Sequence, residues 1–142
     1  MIREIVKDID ELSKPCRTVL KKDDDIKQII QDLVDTAEFH KEKSGCVGLA
    51  SNQIGYDKKV IVVYIDDKWI PMVNPIITSH SRLQEVFEEG CLSLEGTRNV
   101  VRWLGVEVKY LDINGKGKKA ILKGFPAFIV QHECDHLKGK LI

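Results

Sequence analysis

Hydrophobic residues in the first third of the chain recur with a helical period. Ile26, Ile29, Ile30, Leu33, Val34 and Ala37 fall three or four residues apart, which places them along one face of an amphipathic helix. The acidic run Asp23-Asp24-Asp25 precedes this stretch, Lys41 and Lys43 close it, and Gly45 stands just beyond. Acids at the start, bases at the end and a glycine stop are terminal signals of a helix. Together they predict a helix over about residues 25–43.

From Lys59 the period changes. Lys59-Val60-Ile61-Val62-Val63-Tyr64-Ile65 is β-branched and nearly all apolar, the pattern of a strand buried on both faces. Asp66-Asp67 predicts a turn, and Trp69 to Ile77 a second extended run broken by Pro71 and Pro75. A third short strand is expected from Leu83 to Glu88, interrupted by Glu88-Glu89-Gly90-Cys91-Leu92-Ser93. From Val100 the chain is extended again, with Val106, Val108 and Tyr110 alternating with Glu107 and Lys109. Asn114-Gly115 signals a hairpin leading into Lys118 to Lys123. Gly124-Phe125-Pro126 opens a last helix with proline in its first turn, and Lys138-Gly139 ends it. Helix, mostly antiparallel strands, then helix reads as an α+β fold. The expectation is one domain over residues 1–142, with antiparallel sheets packed around the C-terminal helix.

The segment Gly45 to Gly55 holds three glycines among small residues. It is too irregular for a phosphate-binding loop and lacks a Lys-Ser/Thr ending. Two readings stand on this segment alone. Its glycines let backbone approach a ligand closely with Gln53 as an amide donor, or it is a tight surface turn.

Composition narrows the class. Apolar residues make up 43% and charged residues 31% of the 142, with formal net charge zero. That is ordinary for a globular protein and implies no general attraction to nucleic acid or anionic lipid. The stretch Met1 to Asp8 lacks the apolar run of a signal peptide, and no stretch approaches a membrane span in length. The expected location is the cytoplasm. Four cysteines, at 16, 46, 91 and 134, show no C-x-x-C spacing, so free thiols or ligands are expected rather than disulfides.

The chemistry concentrates in the last helix. His132-Glu133-x-x-His136 puts two imidazoles about 40° apart on one helical face, within reach of a single divalent ion. Glu133 is placed to lean towards water at that ion, the arrangement of metal-assisted hydrolysis. Cys134 faces nearly the opposite way. A catalytic site of this kind needs a third ligand and one open position. Cys91, in a glycine-flanked break, is the best candidate by position and softness; His40 and His80 compete and are expected at the surface.

Three separated motifs now carry a resemblance. Gly48-Leu49-Ala50-x-x-Gln53, Glu89-Gly90-Cys91-Leu92-Ser93 and Gln131-His132-Glu133-x-Asp135-His136-Leu137-x-Gly139 resemble, in order and separation, the signature motifs of the peptide deformylases. The resemblance implies removal of the N-formyl group from the initiator methionine of newly made polypeptides, with release of formate. By motif position Cys91, His132 and His136 would bind the metal, iron(II) in the cell, with zinc, nickel or cobalt also able to occupy the site. Metal-bound water would attack the formyl carbon with Glu133 as general acid/base, and Gln53 with the Leu92 N–H would hold the developing oxyanion. The methionine slot would be lined by Val47, Phe87, Phe125, Phe128 and Ile129, with Gly48, Glu89 and Gly90 at the substrate. Glu89 and Asp135 would support the site from behind, Asp135 by pairing with Arg102. The implied partners are N-formylmethionyl nascent chains, and the ribosome near its exit tunnel.

The chain departs from the family pattern in three places. Cys46 stands where a glycine usually opens the first motif, Ser51 replaces an alanine, and Leu94-Glu95-Gly96 follows Ser93 without the common proline. None removes a proposed ligand, base or oxyanion donor. A His-Glu-x-x-His metallopeptidase is a second reading, opposed by the lack of a ligand among the residues after His136. A closed structural metal site is a third, and it requires four protein ligands.

Overall fold

The structure, a computed structural model, describes residues 1–142. Its elements are α1 (Ile9–Leu12), α2 (Ile26–Ser44), β1 (Gly48–Ala50), β2 (Val60–Ile65), β3 (Lys68–His80), β4 (Gln84–Gly90), β5 (Thr97–Trp103), β6 (Gly105–Leu111), β7 (Gly117–Lys123) and α3 (Phe125–Leu137). All strand pairs are antiparallel, in a five-stranded sheet of order β1-β2-β3-β6-β7 and a separate β4–β5 ribbon. The fold is α+β. No helix is long and apolar enough to cross a membrane.

α2 occupies the predicted stretch and buries Ile29, Ile30, Leu33 and Ala37. Gly45 stops it at φ 76°, a left-handed conformation that only glycine adopts without cost. The acidic run works differently from the expectation. Asp25 is the N-cap residue, but its side chain caps no helix N–H; it accepts instead from Lys58 Nζ at 2.7 Å, with Asp23 3.4 Å from the same ammonium. These acids tie the helix start to the loop before β2. The single turn α1 was not signalled by periodicity, and it forms because the Asp8 carboxylate accepts from the Asp10 and Glu11 N–H groups.

β2 lies between two layers of helix, as its apolar run predicts. Val60 and Val62 pack with Ile29 and Leu33 of α2, while Ile61 and Val63 pack with Val130 and Leu137 of α3. Each such side chain, fully buried, stabilises the fold by about 1.5–3 kcal/mol. α3 is enclosed nearly all round, with Ala127 through Cys134 buried. It runs between the large sheet and the β4–β5 ribbon, so its two histidines are held by packing from several elements.

One expectation needs correction, and one open choice between two readings is decided. Pro71 and Pro75 do not break β3. Pro71 pairs with Val62 in a part of β3 that β6 has not yet joined, where a proline on the free edge costs no ladder bond. Pro75 sits in a bulge between Val73 and Ile76, where Asn74 turns to φ 50° and its amide bonds both backbone groups of Val19. The segment Gly45 to Gly55 is not a surface turn. Gly48–Ala50 pairs with β2, and Ser51–Ile54 forms a buried 3₁₀ turn.

Candidate metal centre and active site

α3 presents His132 and His136 one turn apart, and the β4–β5 connection brings Cys91 to them. The ligating atoms of Cys91, His132 and His136 all lie within 4.8 Å of one another. The two Nε2 atoms face each other at 3.0 Å with the rings edge-on. His132 Nδ1 lies 2.7 Å from Glu89 Oε1, which favours the proton on Nδ1 and leaves the Nε2 lone pair aimed inward. His136 Nδ1 is buried without a partner. Cys91 Sγ accepts from the Ser93 N–H at 3.3 Å and from Gln53 Nε2 at 3.7 Å. Two imidazoles and a soft sulfur, converging with their lone pairs inward, fit a divalent ion. The donor set excludes His40, half-buried on α2, and His80, which stacks on Trp103 at 3.6 Å. Cys134 is turned into the core beside Cys16 and Ala50, so no fourth ligand closes the cluster.

Glu133 stands beside this cluster and is 4% exposed. Burial pushes its carboxyl up to about 7, and Oε1 has no hydrogen-bond partner in the protein. β1 explains the space around it. A Cβ on Gly48 would lie 2.6 Å from Glu133 Oε2 and 2.9 Å from Ile129 Cγ2, so glycine is required where the strand passes the acid. Gln53 comes from the 3₁₀ turn. Its Oε1 accepts from the Ala50 N–H at 3.0 Å, which aims Nε2 at Ser93 Oγ and Cys91.

These groups form one wall of a cavity of about 620 Å³. Gln53, Cys91, Leu92, His132 and Glu133 line it, together with Val47, Gly48, Phe87, Glu89, Gly90, Phe125, Phe128 and Ile129. His136 lies behind, 1% exposed. Phe87 packs on Phe128 at 4.8 Å and on Phe125 at 5.7 Å between ring centroids, giving one side an aromatic wall. Glu89 lines the cavity, but its carboxylate supports the site from behind. It is 5% exposed, and its oxygens are taken by Arg102, through Nε and Nη2 at 2.8 Å each, and by His132. Burial works against its charge, but these bonds outweigh it and hold the carboxyl down at about 2. Arg102 also binds Asp135, as the resemblance implied.

Three further side chains support the site. Ser93 meets both Gln53 and Cys91, and Asn52 Nδ2 donates to the His136 carbonyl at 2.7 Å. Gln131 brackets Trp103, accepting from its N–H at 2.9 Å and donating to its carbonyl at 2.8 Å, which locks β5 to α3. Each lies inside or beside a quoted motif, but nothing in residue type shows which backbone group it would meet. Cys46, in the family's glycine position, lines the cavity and donates to the Gly48 carbonyl at 3.3 Å. Burial pushes its thiol up to about 12, so it stays protonated and is a poor nucleophile.

A convergent Cys-His-His donor set beside a buried acid, at the wall of a cavity with an apolar slot, fits the metal site of a hydrolase. The polypeptide deformylase family model matches residues 2–142. A peptide deformylase of Clostridium beijerinckii is 42% identical over 142 residues, covering all of both chains. One of Dictyoglomus thermophilum is 40% identical over all of this chain and 91% of its own. Among solved structures, a class I type b peptide deformylase of Acinetobacter baumannii with Met-Ala-Ser bound superposes with TM-score 0.89. It is 32% identical, over 99% of this chain and 97% of that one. The chain belongs to the polypeptide deformylase family, metal-dependent enzymes that remove the N-terminal formyl group from nascent peptides.

Proposed function

We propose that residues 1–142 act as one catalytic domain that hydrolyses the formyl group of N-formylmethionyl nascent polypeptides in the cytoplasm. The convergence of Cys91, His132 and His136 beside the buried Glu133 carboxylate carries this reading. Those three side chains would hold one divalent ion, iron(II) in the cell, with zinc, nickel or cobalt as substitutes. When bound, the ion supplies Lewis acidity to the attacking water and the formyl oxygen.

The chain's own groups do the rest. Glu133 accepts a proton from the attacking water and delivers it to the amide nitrogen as the C–N bond breaks, yielding formate and a free amine. A carboxyl raised to about 7 is suited to both transfers. Gln53 Nε2 and the Leu92 N–H, which makes none of the protein's internal hydrogen bonds, donate to the formyl oxygen as charge gathers there. One such donor is typically worth on the order of 10²–10³ in rate. Phe87, Phe125, Phe128, Ile129 and Val47 take the methionine side chain, with Gly48 and Gly90 allowing close backbone approach. The Acinetobacter relative's Met-Ala-Ser ligand supports a peptide that begins with methionine. The ribosome, near the exit of the nascent chain, is the proposed place of action.

Formyl-Met-Ala-Ser is expected to release stoichiometric formate from protein loaded with nickel or cobalt. No formate from a fully metallated sample would overturn the reading; cleavage of an unformylated peptide would point to a metallopeptidase. Gly48→Ala tests the geometry. The added methyl must displace Glu133 or Ile129, and a misplacement of about 1 Å can cost 10²-fold in rate. The expected result is a kcat loss of roughly that size with metal content unchanged, read by formate release and elemental analysis. Activity within threefold of wild type would mean that the strand yields instead.

A further inference from the structure

The two faces of the large sheet are covered unequally. α2 packs over β1 and β2, with Val73 and Leu111 at the margin of that core. Beyond this pair the same face is open. Ile76 is opposite Lys109, Lys109 opposite Lys119, Glu107 opposite Ile121, and Gly105 opposite Lys123, so these side chains share one face. Ile76 and Ile121 are 62% and 68% exposed.

The charge here is one-sided. Residues 105–123 hold five lysines against two acids in a chain of zero net charge. Lys109, Lys116, Lys118, Lys119 and Lys123 are all exposed, and none takes part in an ion pair. Of the two acids, Glu107 shares this face and accepts from Thr78 Oγ1 at 2.8 Å, leaving the face net positive, and the Asp112 carboxylate accepts the Asn114 and Lys116 N–H groups of the turn. Lys109 and Lys119 stand directly across the ladder from each other. Like charges so placed destabilise a sheet, and an acid at either position would relieve this.

We propose that the open face of β6–β7 docks on an RNA phosphate backbone. Lys119 and Lys123 lie about 13 Å apart along β7 at the usual rise per residue, with Lys109 beside Lys119. Together they form a row of point charges suited to a polyanion. An anionic bilayer would attract the same charges, but this face offers two isoleucines and no exposed aromatic anchor. The position also suits the proposed reaction, on which the choice of RNA partly rests. Nascent chains emerge on an RNA-rich particle, and β7 is the sheet edge opposite β1, beside which the cavity opens.

The test is fluorescence anisotropy with a labelled RNA duplex of about two helical turns, using the metal-loaded protein. With three phosphates neutralised, affinity is expected to fall by roughly 40-fold between 50 and 200 mM salt. The K109E/K119E/K123E variant should lose at least tenfold in RNA affinity while releasing formate from formyl-Met-Ala-Ser at the wild-type rate. K119E alone, which places opposite charges across the ladder, should raise Tm and weaken RNA binding together. Equal RNA binding by wild type and the triple variant would overturn the proposal. So would wild-type binding to phosphatidylglycerol vesicles but not RNA, or to neither. Failure of the proposed reaction would show separately, as absent formate release with RNA binding intact.

Discussion

Glu133→Ala is expected to lower kcat for formate release by about 10²–10⁴-fold, the usual contribution of a positioned acid/base, while metal content stays at the wild-type level. The separation of the two readouts follows from geometry. Glu133 supplies no atom to the Cys91-His132-His136 cluster, so its removal leaves the donor set intact. Its carboxylate is buried with one oxygen unpartnered, a placement that costs stability and is retained for chemistry. The same substitution should therefore leave Tm unchanged or higher, despite the lost volume. Glu133→Gln, nearly isosteric, isolates proton transfer from packing and should show the same kcat loss. Turnover within tenfold of wild type in both variants, with metal bound, would sink the assignment of Glu133 as the base.

The second large effect is on stability. Arg102→Met is expected to destabilise the fold by about 3–5 kcal/mol, because breaking a buried ion pair strands the remaining charges. For a chain of this length that lowers Tm by roughly 10–15 °C. Arg102 is 5% exposed, and its guanidinium holds both oxygens of Glu89 and reaches Asp135. Its loss leaves Glu89, also 5% exposed, paired only with His132. Metal affinity should fall as well, by about 10–100-fold, since Glu89 then no longer holds the His132 ring in one tautomer and orientation. Arg102→Lys should fall between, because an ammonium cannot make the two-pronged contact. The Glu89→Gln/Arg102→Met double variant removes one stranded charge and should recover part of the loss. Calorimetry with metal titration reads both effects; an Arg102→Met cost below about 1 kcal/mol would show that Glu89 and Asp135 reach water.

The periodic stretches determined their own structure. α2 follows from apolar residues every three or four positions and a glycine stop, and β2 from an unbroken β-branched run, because both depend on contacts that repeat along the chain. The His132 and His136 pair was legible for the same reason, since helical pitch alone sets their separation. The third ligand was legible only as a preference. Cys91 was preferred over His40 and His80 by its glycine-flanked break and by the motif resemblance, but only the packing of the β4–β5 ribbon against α3 brings it into the cluster. Glu89 and His132 are 43 residues apart in the chain, yet 2.7 Å apart in space. No local pattern encodes such a meeting. Pro71 and Pro75 show the converse. Both read as breaks, but whether a proline breaks a strand depends on whether a neighbour needs its N–H, and that is a property of the sheet. Spacing within one element is set by backbone geometry, whereas the choice among distant donors is made by the burial that folds those elements together.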